Sequence, residues 1–195
     1  MFNSNYLFKL YVKFMRLRFF KLIILTLRGE AGIETLINLG LKVGSNCDIQ
    51  PGVKIDESHC WLIEIGNNVT LAPRVMILAH DASMKRHLGY TKIGKVNIGN
   101  KVFIGAGTIV LPNVSIGKNS IIGAGSVVTK DIPENVVATG NPAKVLCSLE
   151  EFLIKHHEVM RKSPLFGDEF TINRNVNNNK KNEMNNVIDG VGYIL

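Results

Sequence analysis

IGNKVFIGAGTIVLPNVSIGKNSIIGAGSVV, residues 98–128, decides the architecture of this chain. Ile98, Ile104, Val110, Ile116, Ile122 and Val128 recur at every sixth position without a break. The same period runs through Val43, Ile49 and Ile55 and through Ile65, Leu71 and Ile77, with its phase lost before Ile65 and again before Ile98. Glycine often follows the apolar residue, as at Gly44, Gly66, Gly99, Gly105, Gly117 and Gly123. Four residues after the apolar position stands something small or β-branched: Cys47, Val53, Val69, Val75, Val102, Thr108, Val114, Ser120 and Ser126. Such a period marks a parallel β-helix, in which short flat strands stack and each turn of chain needs its neighbours to bury a core. Alternate side chains of a strand point inward, so each branched residue and the smaller one two positions before it fill a narrow triangular interior. The Gly and Asn clusters at 66–68, 99–100 and 117–119 read as corners, where both residues tolerate positive φ.

The G-x-G pairs Gly105–Gly107 and Gly123–Gly125 recur within the repeat and open no helical pattern, which excludes a dinucleotide-binding fingerprint. The 195 residues are enough for one modest domain with two tails. Cys47, Cys60 and Cys147 are odd in number and have no metal-ligand spacing, which suggests a reducing compartment, and Cys47 falls on an inward repeat position. The expected organisation is a basic, apolar, helical segment over 1–40, the β-helix over 41–146 with a protruding loop at 79–95, and a short helix with an Asn-rich tail over 147–195.

Residues Tyr6 to Leu27 are aromatic and aliphatic but interleaved with Lys9, Lys13, Arg16, Arg18 and Lys21. The longest uncharged run, Leu22 to Leu27, falls far short of the roughly 18 to 20 apolar residues that span a bilayer, and no cleavage-site pattern follows it. Two readings fit: a cap packed on the open end of the β-helix, or a basic helix from Met1 to Arg28 lying on an anionic membrane. The net charge of +7 comes with no stacking motif or helix-turn-helix, so nucleic acid is not the expected partner. At the other end, Leu149 to Lys162 reads as a helix with Leu149, Phe152, Leu153 and Val159 on its apolar positions. Beyond Asn173 the Asn- and Lys-rich chain shows no periodicity and reads as disordered or loosely attached.

Chemistry is expected where the period fails. After Ile77 a polar loop runs from Ala79 to Lys92, and a loop ejected from a regular solenoid commonly carries function. It contains His80 and His87. Imidazole, with a free pKa of about 6.5, suits general-base work, and His80 directly follows a strand that can hold it.

The run from Ile98 through Val128 continues into Thr129-Lys130-Asp131-Ile132-Pro133 and, further on, Thr139-Gly140-Asn141-Pro142-Ala143-Lys144-Val145. From about Leu41 to Leu146 the chain closely resembles the hexapeptide-repeat acyltransferases, in particular the sugar and polysaccharide O-acetyltransferases related to maltose and galactoside acetyltransferases. The resemblance implies an all-β solenoid, a left-handed parallel β-helix against the usual right-handed crossover, assembled as a homotrimer with sites between subunits. It implies acetyl-CoA as acyl donor, and His80 as the base that deprotonates an acceptor hydroxyl for direct attack on the thioester. No nucleophilic Ser or Cys is needed when both substrates share one groove. For the coenzyme it points to Gly105, Ala106, Gly123 and Ala124, whose small side chains leave room for a pantetheine arm and its bonds to backbone amides. It points especially to Ala124, Thr129 and Lys130, with Lys144 near the nucleotide phosphates, and to Phe103 where relatives often carry tryptophan.

Asp81, Asn67 and Arg74 are the candidate acceptor contacts. A backbone carbonyl, or a carboxylate from Asp56, Glu57 or Glu64, is left to orient His80. The expected function is O-acetylation of a sugar or glycan precursor in polysaccharide biosynthesis, in the cytoplasm or at the inner face of the cell membrane, with no metal required. The alternatives are N-acetylation of an amino-sugar nucleotide, a non-catalytic scaffold, or a metal-binding β-helix using His59, His80 and His87 around zinc.

Overall fold

The structure, a computed structural model, describes residues 32–195. The expectations placed on Met1 to Arg28 therefore lie outside the described residues. The described chain falls into two compact units that meet after Leu146.

In the first unit, short strands enter three parallel sheets in rotation as far as Val127–Val128. One sheet stacks Lys42–Val43, Ile63–Ile65, Val96–Ile98 and Val114–Ile116. The second stacks Asp48–Ile49, Thr70–Leu71, Phe103–Ile104, Ile121–Ile122 and Val136–Thr139, with Lys144–Ser148 at its edge beside the last. The third stacks Lys54–Ile55, Met76–Ile77, Ile109–Val110 and Val127–Val128. The register follows from the six-residue period, since a coil of three repeats brings each inward residue under its counterpart. Ile65, Ile98 and Ile116 pair in line, as do Leu71, Ile104 and Ile122, and Ile77, Val110 and Val128. All nine are buried, together with the smaller inward residues from Val69 to Ser126. Val43, Cys47, Ile49 and Val53 of the first coil are only half-buried, and among the described residues one side of that coil has no stacked strand. The helix Ile33–Asn38 sends Leu36 into the same core. Buried hydroxyls need partners: Thr108 and Ser126 donate to the Gly123 carbonyl at 3.1 and 2.6 Å, and Ser120 donates to the Pro133 carbonyl at 2.7 Å.

The glycines correct the corner argument. Gly99 does not adopt positive φ; a Cβ there would sit 2.6 Å from the Lys118 nitrogen in the next coil. Gly66, Gly105 and Gly117 are held to the same close approach. Positive φ falls instead on Asn68, Lys101 and Asn119, further round the same corner, and on Gly107 and Gly125 at another.

The loop after Ile77 is also more ordered than its sequence implies. His80–Asp81 pairs antiparallel with Lys92–Ile93, and a short helix, Lys85–Leu88, lies at the tip of this ribbon.

In the second unit, a helix spans Leu149–Met160, close to the expected bounds. Its start is a reciprocal capping box, in which the Ser148 hydroxyl accepts from the Glu151 N–H and Glu151 accepts from the Ser148 N–H. The residues beyond Asn173, expected to be disordered or loosely attached, carry regular elements. Asn178–Val187 is helical, with the Asn177 side chain accepting from the Lys180 N–H, and Tyr193–Ile194 pairs in parallel with Leu165–Phe166. An N-cap asparagine starts a helix without any apolar periodicity to announce it. Among the described residues no helix is long and apolar enough to cross a membrane.

Candidate active site

Both breaks in the six-residue phase leave the coil at the same corner, between the third sheet and the first. The first break follows Ile55 and carries Asp56, Ser58, His59 and the short turn Cys60–Leu62. The second follows Ile77 and carries the His80 ribbon. Ile55 and Ile77 are direct partners in adjacent coils, so the two insertions emerge one above the other.

That stacking brings Asp56 to His80. Asp56 Oδ2 lies 2.5 Å from His80 Nδ1 and also accepts the Ala79 N–H at 2.9 Å. Its Oδ1 accepts the Ser58 and His59 N–H groups at 3.0 and 3.2 Å. The carboxylate side chain is wholly buried, while the imidazole is 35% exposed. Burial pushes the Asp56 carboxyl up, but the Ala79 N–H, then the hydrogen bond and charge of His80, outweigh it and hold the group below the usual carboxylate range. An ionised carboxylate only accepts, so His80 Nδ1 carries a proton, and in the neutral ring Nε2 is the nitrogen with the free lone pair. A base fixed in one tautomer by a buried carboxylate is the arrangement used to activate hydroxyl groups in nucleophilic catalysis.

His59 lies alongside, its ring centroid 5.3 Å from that of His80 and 5.4 Å from that of the exposed Trp61. His87 sits exposed in the ribbon-tip helix and outside this cluster. Of the carboxylates weighed for orienting His80, Asp56 makes the contact, while Glu64 pairs with Lys42 on the outer face at 3.2 Å.

The other candidate residues divide. Asp81 accepts the Ser83 N–H at 2.9 Å, which braces the ribbon and lowers its carboxyl pKa. Asn67 accepts from the Ser45 N–H and hydroxyl at 2.8 and 3.0 Å, and its own N–H donates to Asn100 Oδ1 at 2.8 Å, so it belongs to a corner ladder. Arg74 occupies a positive-φ turn and packs against Gly52 of the coil before it. Phe103 is 43% exposed on the outer face of the second sheet. The amides of Gly105 and Gly123 are spent on coil-to-coil bonds to Ile122 and Ala138 carbonyls, and that of Gly125 on Ala106. Ala124, Thr129, Lys130 and Lys144 are exposed, and Ala106 is half-buried. An open groove along the outer face of the first sheet, between Asn97, Ser115 and Asp131, contains none of the His80 cluster.

Sequence reasoning weighed Asp56 without selecting it. The signal was present: the two phase breaks are separated by three inward positions, Ile65, Leu71 and Ile77, which make one full turn of a three-sided coil, so both leave at one corner.

Residues 95–130 match the family model described as bacterial transferase hexapeptide (six repeats). Protein CapG of Staphylococcus aureus is 40% identical over 143 residues, covering 69% of this chain and 81% of CapG. A galactoside O-acetyltransferase of Lactococcus lactis is 39% identical over 168 residues, covering 72% of this chain and 78% of its own. Among solved structures, a hexapeptide-repeat-containing acetyltransferase of Vibrio cholerae, complexed with acetyl coenzyme A, aligns with a TM-score of 0.51 at 27% identity, over 56% of this chain and 61% of that one. With its repeat matched and relatives of this identity aligned over most of their length, the chain belongs to the hexapeptide-repeat transferases and is an acyltransferase.

Proposed function

We propose that this protein transfers an acetyl group from acetyl-CoA to a hydroxyl of a sugar or glycan precursor, with His80 as general base. The observation that carries the reading is the Asp56–His80 pair, which fixes the proton on Nδ1 and leaves Nε2 free to accept one. Nε2 takes the proton of the acceptor hydroxyl as its oxygen attacks the thioester carbonyl carbon. The C–S bond then breaks, and the imidazolium returns the proton to the departing CoA sulfur. Asp56 lowers the energy of that imidazolium and needs no proton itself. The thioester is already activated, so the protein's main tasks are alignment of the two substrates and proton transfer.

The galactoside O-acetyltransferase relative supports a sugar acceptor, and the Vibrio cholerae complex supports acetyl-CoA. Phe103, Ala106, Ala124, Thr129, Lys130 and Lys144 are the proposed coenzyme contacts, with Asp81 and Arg74 for the acceptor. The reading includes a left-handed winding of the three sheets and a trimer with the donor groove between subunits.

The test is release of CoA thiol from acetyl-CoA across sugars, glycan precursors and amino-sugar nucleotides, beside folded His80→Ala. Acceptor-dependent release that falls about 10²- to 10⁴-fold in the variant is expected. Release independent of His80, or none with any acceptor, would refute the assignment; release confined to amino-sugar nucleotides would move the reaction to nitrogen.

A further inference from the structure

His59 has no part in the reaction described above, yet its Nδ1 is fully shielded and finds no hydrogen-bond partner. A buried polar atom without a partner is uncommon and calls for a ligand. The donor atoms of Asp56, His59 and His80 all lie within 4.8 Å of one another. Two imidazoles and one carboxylate form a donor set that zinc accepts with its fourth position left to water. Magnesium and calcium prefer oxygen ligands and are poorly matched to this set.

We propose that Asp56, His59 and His80 form a binding site for a divalent transition-metal ion of the zinc class, and that an ion held there silences acetyl transfer. The inference rests on the reading of His80 as the base. Tetrahedral zinc, with nitrogen ligands at about 2.0 to 2.1 Å, wants donor atoms roughly 3.3 Å apart. The Asp56–His80 contact must therefore open and His59 must close in, movements that the half-exposed His80 ring and the short turn carrying His59 permit. Backbone N–H groups of Ser58, His59 and Ala79 already hold the Asp56 carboxylate, which gives the site the outer support that metal ligands commonly have.

Inhibition follows from the tautomer. A metal ion on His80 Nδ1 displaces the proton from that nitrogen, and the neutral ring then carries its proton on Nε2. The lone pair that would take the acceptor proton is gone. An ion on Nε2 blocks it directly. His87, on the ribbon tip, contributes nothing to this set.

The experiment uses cobalt(II) as a spectroscopic probe and zinc(II) as inhibitor, on full-length chelator-treated protein, with circular dichroism confirming the fold of each variant. One cobalt(II) per chain with an intense four-coordinate visible spectrum is expected. His59→Gln, which keeps the backbone N–H to Asp56, is expected to weaken binding at least about tenfold. It should leave metal-free CoA release unchanged and relieve zinc inhibition by a similar factor, while His87→Gln changes neither. No cobalt binding, or equal binding and equal zinc inhibition in the parent and His59→Gln, would overturn the proposal. Cobalt binding requires no turnover, so the two readings fail separately. Binding lost in His59→Gln alongside transfer indifferent to His80 would sink the base and keep the site. His80-dependent transfer with no bound cobalt would do the reverse.

Discussion

Asp56→Asn is the substitution that most directly tests the catalytic geometry, because it preserves shape and removes only the charge and one acceptor. Four N–H donors face the carboxylate: those of Ser58 and His59 on Oδ1, and those of Ala79 and His80 on Oδ2. The asparagine oxygen can serve one pair only. Backbone donors cannot change role and the imidazole can, so the oxygen stays with Ser58 and His59, and the NH2 turns toward Ala79 and His80. His80 then accepts through Nδ1 and carries its proton on Nε2, which removes the base. The expected fall in kcat is thus close to the whole general-base contribution, about 10²- to 10⁴-fold. Above about 150-fold this exceeds what one lost charge-assisted hydrogen bond of about 1.5 to 3 kcal/mol, roughly 10- to 150-fold, would give. The Ala79 N–H is left unpaired at about 1 to 3 kcal/mol. At roughly 2 to 4 °C per kcal/mol for a chain of this size, Tm falls by about 2 to 12 °C. Steady-state CoA release and a thermal melt measure both, with KM for acetyl-CoA changing little. An Asn variant with near-parental kcat would refute the tautomer argument, and an unchanged melt would refute the hydrogen-bond assignment.

Three further outcomes test the scaffold. Gly99→Ala drives a methyl against the Lys118 backbone at 2.6 Å and should destabilise by about 1 to 3 kcal/mol, read as a lower denaturant midpoint. Lys101 holds φ at 56° in the corner position where Asn68 and Asn119 stand in neighbouring coils, so Lys101→Asn should raise the same midpoint by up to about 1 kcal/mol. In the capping box, hydrogen bonds from the Ser148 N–H and then its hydroxyl lower the Glu151 carboxyl pKa. Its contribution is present above the unfolded carboxylate pKa and is lost as pH falls through the lower folded value. Protection factors in Leu149–Met160, which divide out the intrinsic pH dependence of amide exchange, should therefore fall on acidification through that window in the parent and less in Glu151→Gln.

The core could be read from the sequence because the six-residue period and the inward face are the same constraint. A residue that returns at every sixth position returns to the same wall of a three-sided coil, and Ile104 and Val110 had nowhere else to go. The corners were harder. Gly66 and Asn68 share a loop, but one answers to the backbone of the next coil and the other to its own φ, and composition does not separate these causes. Asn67 was a plausible sugar contact in isolation. Its place in the ladder from Ser45 to Asn100 depends on the stacking of successive coils, which only the register supplies. The helix at Asn178–Val187 escaped because its start is marked by a cap and by no apolar stripe.

The Asp56–His80 pair lies between these cases. Residues 24 apart in sequence come within 2.5 Å because a β-helix turns phase into position: an insertion of any length leaves at whichever corner the interrupted repeat had reached. Ile55 and Ile77 end strands in the same sheet on consecutive coils, so each following residue begins an excursion from the same edge. One excursion supplies a buried carboxylate held by its own backbone amides; the other supplies a half-exposed imidazole on a paired ribbon. Neither makes a base alone. The ribbon can vary in length and tip without moving His80, because its position is fixed by Ala79, buried at the strand end and donating its N–H to Asp56. In the proposed reaction this separates catalysis from recognition: the coil edge would set the proton on His80, and the rest of the ribbon, from Ala82 to Thr91, would be left to meet the acceptor.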